Sequence, residues 1–251
     1  MKTLLQAMSE NLSFLLVSLA VFAGILLVAW VAERLAKAEL RRPSKAKYLA
    51  MIAMSAALGG VLMSLEIPLF FAPPFYQLDF SELPGLIASF YLGPVAGVIT
   101  ELLKVVVKLL IKGTSTAFVG DFANFVVGCS FVLPASIVYH IRKTRKTAIA
   151  GMAAGTVVMT VFGSLFNAFY LIPTFSVLFG MPLDAIVAMG TAVNPHIVSV
   201  PTLVLMAVVP FNLLKCIAVS AVTLLLYKRL ERGLARLMQP VRPACHPHNP
   251  I

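Results

Sequence analysis

Long apolar stretches alternate with short polar breaks along this chain, each stretch close to the roughly 20 residues that cross a bilayer as a helix. The first covers about 12–32 and runs into a basic block. It follows Glu10 and has no short apolar run ending at a small-residue cleavage site, so it reads as a helix and not as a signal peptide. The second, about 47–65, ends near Glu66, Pro68 and the Pro73-Pro74 pair. Asp79-Phe80-Ser81-Glu82-Leu83-Pro84 then makes a helix start. Asp79 or Ser81 can cap, Glu82 suits the positive helix end, and Pro84 is tolerated in a first turn. That short helix stops at Gly93-Pro94. Further helices are predicted at about 94–112, from near Asp121 to the basic run 142–146, at about 148–172 and at about 203–228. A long segment with Pro173, Pro182, Pro195 and Pro201 joins the last two.

The pattern predicts an all-α polytopic membrane protein, six core helices preceded by one extra N-terminal transmembrane helix. Three units follow from it: 1–46 (extra helix and basic linker), 47–230 (six-helix membrane domain) and 231–251 (a disordered tail). No internal repeat or second soluble domain is visible.

Composition narrows the class. Of 251 residues, 60% are apolar and 12% charged, where a soluble domain is about a quarter charged. This excludes a soluble globular enzyme and a disordered chain. The net charge of +10 would suggest nucleic acid in a soluble protein. Here fifteen of the 20 basic residues fall directly after long apolar stretches. They are Arg34, Lys37, Arg41, Arg42, Lys45 and Lys47; Arg142, Lys143, Arg145 and Lys146; and Lys228, Arg229, Arg232, Arg236 and Arg242. Such clusters mark cytoplasmic loops, so no nucleic-acid partner is expected. Counting crossings places the N-terminus outside the cell membrane and the C-terminus inside. The loops at about 66–80, 113–120 and 173–202 then face outward.

The few polar groups within apolar segments carry the candidate chemistry, because an ionisable side chain in mid-membrane is costly. Lys215 lies mid-helix with Asn212 one turn before it, and Asn167 lies in the preceding long helix. Together they offer amides and an ammonium to a polar ligand. Alternatively the amides join helices and Lys215 pairs with a carboxylate or carbonyl. Glu101, Lys104, Lys108 and Lys112 share a helix face, read as an internally paired stripe with Lys112 reaching the outer surface, or as an ion or proton path. Asp121 and Asn124 open a helix, as caps or as ligand contacts. Ala53 and Ala57 are small residues four apart, which let another helix approach. Cys129, Cys216 and Cys245 show no disulfide framework. Cys245-His246-Pro247-His248 reads as disordered tail rather than a metal site. There is no phosphate-loop, H-E-x-x-H or G-x-S-x-G motif.

Several of these segments resemble a known family. Phe75-Tyr76-Gln77-Leu78-Asp79-Phe80-Ser81-Glu82-Leu83-Pro84 is similar to the signature of substrate-binding S-components of energy-coupling factor (ECF) vitamin transporters, the riboflavin-specific members above all. Gly93-Pro94-Val95-Ala96-Gly97-Val98 with Glu101-Leu102-Leu103-Lys104 agrees, as do Asp121-Phe122-Ala123-Asn124-Phe125 with Gly128, and the Asn212/Lys215 pair. The resemblance covers about 47–230. It implies a non-enzymatic, cofactor-free capture subunit in a bacterial cell membrane, with riboflavin or FMN as transported ligand and membrane lipid around it. It also implies a transmembrane coupling protein and two ABC-type ATPases as partners. By the same resemblance Asn167, Asn212 and Lys215 hold the flavin ring. The residues themselves add Phe75, Tyr76, Leu78, Asp121 and Asn124 as expected ligand contacts. Ala53 and Ala57 meet the coupling protein. The rivals are an S-component for another vitamin, a proton-coupled secondary transporter and an intramembrane lipid enzyme.

A flavin suits the residues themselves. It is a flat apolar ring with an imide-like edge and a polyhydroxyl tail. Phe70, Phe71, Phe75, Tyr76 and Phe80 can cover the ring or anchor the loop at the interface, and the two Asn and Lys215 can meet the edge.

Overall fold

A computed structural model describes residues 2–35 and 43–237 of the chain, with side chains placed for 16–35 and 43–226. Lys37, Arg41, Arg42, Arg242 and the Cys245–His248 run lie outside the described residues, as do the side chains of Lys228, Arg229, Arg232 and Arg236.

The chain folds into α1 (Lys2–Leu35), α2 (Lys45–Ser64), α3 (Glu82–Leu92), α4 (Pro94–Lys112), α5 (Val119–His140) and α6 (Arg145–Phe166). These are followed by α7 (Ile172–Phe179), α8 (Leu183–Thr191), α9 (Val200–Leu203) and α10 (Val209–Leu237). Five helical stretches are long and apolar enough to cross a membrane: Leu16–Leu35, Lys45–Ser64, Val119–His140, Arg145–Phe179 and Val200–Leu226. The charged face of α4 and the 11-residue length of α3 keep those two off that roster. All six core helices of the sequence reading are present. The last continues to Leu237, into the stretch expected as tail, and 238–251 lies outside the described residues.

Two expectations change. The segment 173–202 is not a loop: α6 continues through a π turn (Asn167–Leu171) into α7, and α8 follows after Gly180. Pro173, expected in the joining segment, sits in the first turn of α7, directly after that π turn. Pro210 stands in the same relation to a second π turn, Val204–Val208. A proline has no N–H to donate and its ring crowds the carbonyl four residues back. Widening the preceding turn accommodates it without ending the helix. The second change is at the helix starts. Ser81 stands at the N-cap of α3 but makes no side-chain cap hydrogen bond, and the N-cap of α5 is Phe118, with Asp121 in the first turn.

Helices alternate in direction, so the basic residues at the end of α1, the start of α2 and the α5–α6 junction gather at one end of the bundle, here the basic end. The link between α2 and α3 lies at the opposite end. There Ile67–Pro68 pairs antiparallel with Gln77–Leu78 as strands β1 and β2. Glycines bring α2 against α4: a methyl group on Gly60 would collide with Val107, and one on Gly59 would stand 3.1 Å from Lys104 Cβ. Helix association in a membrane depends on such close backbone approach.

Candidate functional site

A cavity of about 470 Å³ opens among the β1–β2 hairpin, α5, α6 with its π turn, and α10. Its size suits a ligand of a few fused rings, since small-molecule sites run at about 300–1,000 Å³. Phe75, Tyr76, Phe175, Phe211, Met159 and Val127 give it apolar walls, and Asn124, Asn167, Asn212, Lys215, Asp121 and Glu82 give it polar ones.

Local structure explains how those side chains meet. Asn167 is the first residue of the π turn that Pro173 imposes, and its amide is used on both sides. Nδ2 donates to the Gly163 carbonyl at 2.8 Å, and Oδ1 accepts from the Tyr76 hydroxyl at 2.7 Å. Burial pushes the Tyr76 phenol above its ordinary value, so it stays a donor. Tyr76→Phe would leave Asn167 Oδ1 buried without that partner, at about 1–3 kcal/mol. The variant is expected to unfold at lower temperature in detergent, as read by a thermal melt.

Asn212 and Lys215 follow Pro210 and its π turn on α10 and are both buried. The ammonium of Lys215 lies 2.8 Å from Glu82 Oε1 and 3.1 Å from Asp79 Oδ2. Lys215 is therefore ion-paired, and its partners come from the hairpin and the start of α3, 136 residues away in the case of Asp79. Asp79 Oδ1 accepts from the Ser81 N–H at 2.8 Å, so both of its oxygens are engaged. Burial alone would raise the Asp79 carboxyl, but Lys215, then Lys104, hold it below its usual value. It faces the cavity as a carboxylate.

The stripe on α4 closes into ion pairs too. Lys104 Nζ lies 2.6 Å from Glu101 Oε2 and 3.3 Å from Glu82 Oε1, and donates to Ser81 Oγ at 2.9 Å. Lys108 donates to Asp121 Oδ1 at 2.6 Å, and Lys112 pairs with Glu66. Internal pairing was the expected reading of the stripe. Only Glu101–Lys104 pairs within the helix, whereas Glu66, Glu82 and Asp121 come from other segments.

The structure thus brings Asn167, Asn212, Lys215, Asp121, Asn124, Phe75 and Tyr76 to one cavity. Leu78 is the exception: it is buried among Ala72, Tyr76, Val208 and Phe211 and lines no wall. Phe70 is 91% exposed and does not face the cavity either. Ala53 and Ala57 are exposed on α2, away from the site. Sequence reasoning missed Glu82 as a partner of Lys104 and Lys215, and Phe175, which it left in a loop. For Glu82 the available signal was an acid one helical turn beyond Asp79, facing a chain with two unexplained mid-helix lysines. Among the described residues Asn212 Nδ2, Asn124 Oδ1, Asp121 Oδ2 and Glu82 Oε2 are buried without a hydrogen-bond partner. Asn212 offers a donor, and the other three offer acceptors. No group of three metal-ligating side chains is found among the described residues.

Comparison with known proteins places this geometry. The family model described as ECF transporter, substrate-specific component, matches residues 47–227. The riboflavin transporter RibU of Staphylococcus aureus (strain TCH60) is 37% identical over 191 residues, 76% of this chain and 94% of that protein. The riboflavin transporter FmnP of Bacillus subtilis (strain 168) is 29% identical over 74% of this chain and 93% of that protein. A solved structure of the S component of a bacterial ECF transporter is similar with a TM-score of 0.60 and 35% identity, over 76% of this chain and 99% of that one.

Proposed function

This chain belongs to the substrate-specific components of ECF transporters, and we propose that the ligand it captures is riboflavin or a close flavin. It is a multi-pass membrane protein of a transporter family rather than an enzyme. The observation that carries the flavin reading is the cavity: aromatic walls for a flat ring, lined also by the Asn167 and Asn212 amides and the Lys215 ammonium. The unpartnered Asn212 Nδ2 suits a carbonyl of the ring's imide edge. The unpartnered Asn124 Oδ1 and Asp121 Oδ2, on α5, suit hydroxyl donors of a sugar-alcohol tail. The names of the relatives in Staphylococcus aureus and Bacillus subtilis support the same ligand.

In this reading the cavity opens to the outside and the basic end faces the cytoplasm, which the distribution of Lys and Arg supports. Segment 47–230 is the capture unit, and α1 adds a further span at its flank, with the N-terminus outside. The energising partners are a transmembrane coupling protein and two ABC-type ATPases, with Ala53 and Ala57 on the exposed face of α2 as the docking stripe. The pairing of Glu101, Lys104 and Lys108 speaks against an autonomous proton path.

Titration of the purified protein with riboflavin is expected to quench flavin fluorescence with one site per chain. A colourless preparation that quenches nothing would overturn the flavin assignment. Uptake by vesicles holding this chain without an ATPase partner would overturn the energising scheme.

A further inference from the structure

A second cavity, of about 580 Å³, lies at the basic end between α1 and α5, far from the flavin site. Its walls are Leu27, Val31, Ala32 and Leu35 of α1 and Ile137 and Ile141 at the end of α5. Leu27 to Leu35 is about 12 Å of helix, close to the roughly 15 Å that one leaflet contributes to a 30 Å hydrocarbon core. At the basic end of the groove the Arg34 guanidinium stands 4.9 Å from the Trp30 ring centre.

The charge at the mouth is one-sided. Arg142, Lys143, Arg145 and Lys146 follow Ile141 directly and are exposed. Glu33, on the last turn of α1, already accepts from the Val95 N–H at 3.2 Å and so caps the start of α4. Branched walls suit an acyl chain better than a second helix, which would need small residues to approach. We propose that this groove is a binding site for one anionic phospholipid of the cytoplasmic leaflet, its acyl chain against Val31 and Ile137 and its phosphate between Arg34 and Arg142. The site would fasten α1 to the core, since α1 rests on it by few buried side chains.

The test uses the full chain purified in mild detergent, with phosphatidylglycerol and phosphatidylcholine as probes and native mass spectrometry as readout. One phosphatidylglycerol is expected to stay bound per chain under conditions that strip phosphatidylcholine. Each basic side chain near an anionic surface contributes roughly fivefold, so Arg34→Gln with Arg142→Gln should weaken retention by about 20-fold or more. Ala32→Trp, which fills the groove without touching charge, should abolish it, while Lys45→Gln should not. Riboflavin quenching by the same preparations reports folding independently. Equal retention of the two lipids, retention that survives both changes, or a dimer occupying the face would overturn the proposal.

Discussion

Lys215→Met is expected to lower riboflavin affinity by about a hundredfold, measured by fluorescence titration on protein that still elutes as a folded species. The ammonium lies in the cavity wall and is held by Glu82 and Asp79. Truncating one member of a buried, hydrogen-bonded charge pair costs about 2–5 kcal/mol, and a hundredfold change is about 2.7 kcal/mol. Methionine keeps most of the volume, so the loss is one of charge. The two acids would then face the ligand with Lys104 as their one remaining cation, and a carbonyl edge is repelled where it was attracted. Folded Lys215→Met protein with unaltered affinity would reduce Lys215 to a clamp between α10 and the hairpin.

That clamp is what the linear sequence concealed. Lys215 was legible as an anomaly, a cation in an apolar run, because insertion of charge into a bilayer needs a reason. Its partners were not legible. Asp79 and Glu82 sat in a segment whose local pattern, acid and serine before a proline, has a sufficient explanation as a helix start. Only the packing of α3 against α10 turns them into counter-ions. The same holds for Asp121, read as a cap and found on Lys108.

The spans were legible for the opposite reason. An apolar run of bilayer length has few other uses, so α2, α5 and the cores of α6 and α10 are close to where periodicity put them. The error at 173–202 came from treating proline as a terminator. In a bundle whose neighbours supply the remaining contacts, a π turn absorbs Pro173 and Pro210 and the helices continue. The first of those turns carries Asn167, and Asn212 follows the second on α10; both line the cavity. One candidate ligand contact, Asn167, thus lies in irregular backbone, where π turns often carry function.

Lys104→Met is expected to have the largest effect on folding, a loss of about 3–5 kcal/mol, seen as a sharp fall in melting temperature in detergent. Lys104 is fully buried and lies between Glu101 and Glu82. Around it, Asp79, Glu82 and Glu101 set three carboxylates against only two ammonium groups, those of Lys104 and Lys215. Removing Lys104 from a cluster already short of positive charge leaves Glu101 buried without its ion-pair partner, while Lys215 alone must serve Glu82 and Asp79. Removing an acid should do far less harm, so Glu101→Gln is expected to change the melting temperature little or to raise it. Space enforces the same point. Glu101 fills a slot whose walls are Gly85 and Gly128, and a methyl group on either glycine would strike its carboxylate. The amide of glutamine fits that slot, whereas a larger replacement does not. The double variant Lys104→Met with Glu101→Gln is then expected to recover part of the lost stability, with a coupling of about 0.5–3 kcal/mol. Strict additivity of the two changes would mean that the pair contributes packing alone, and the charge count would lose its meaning.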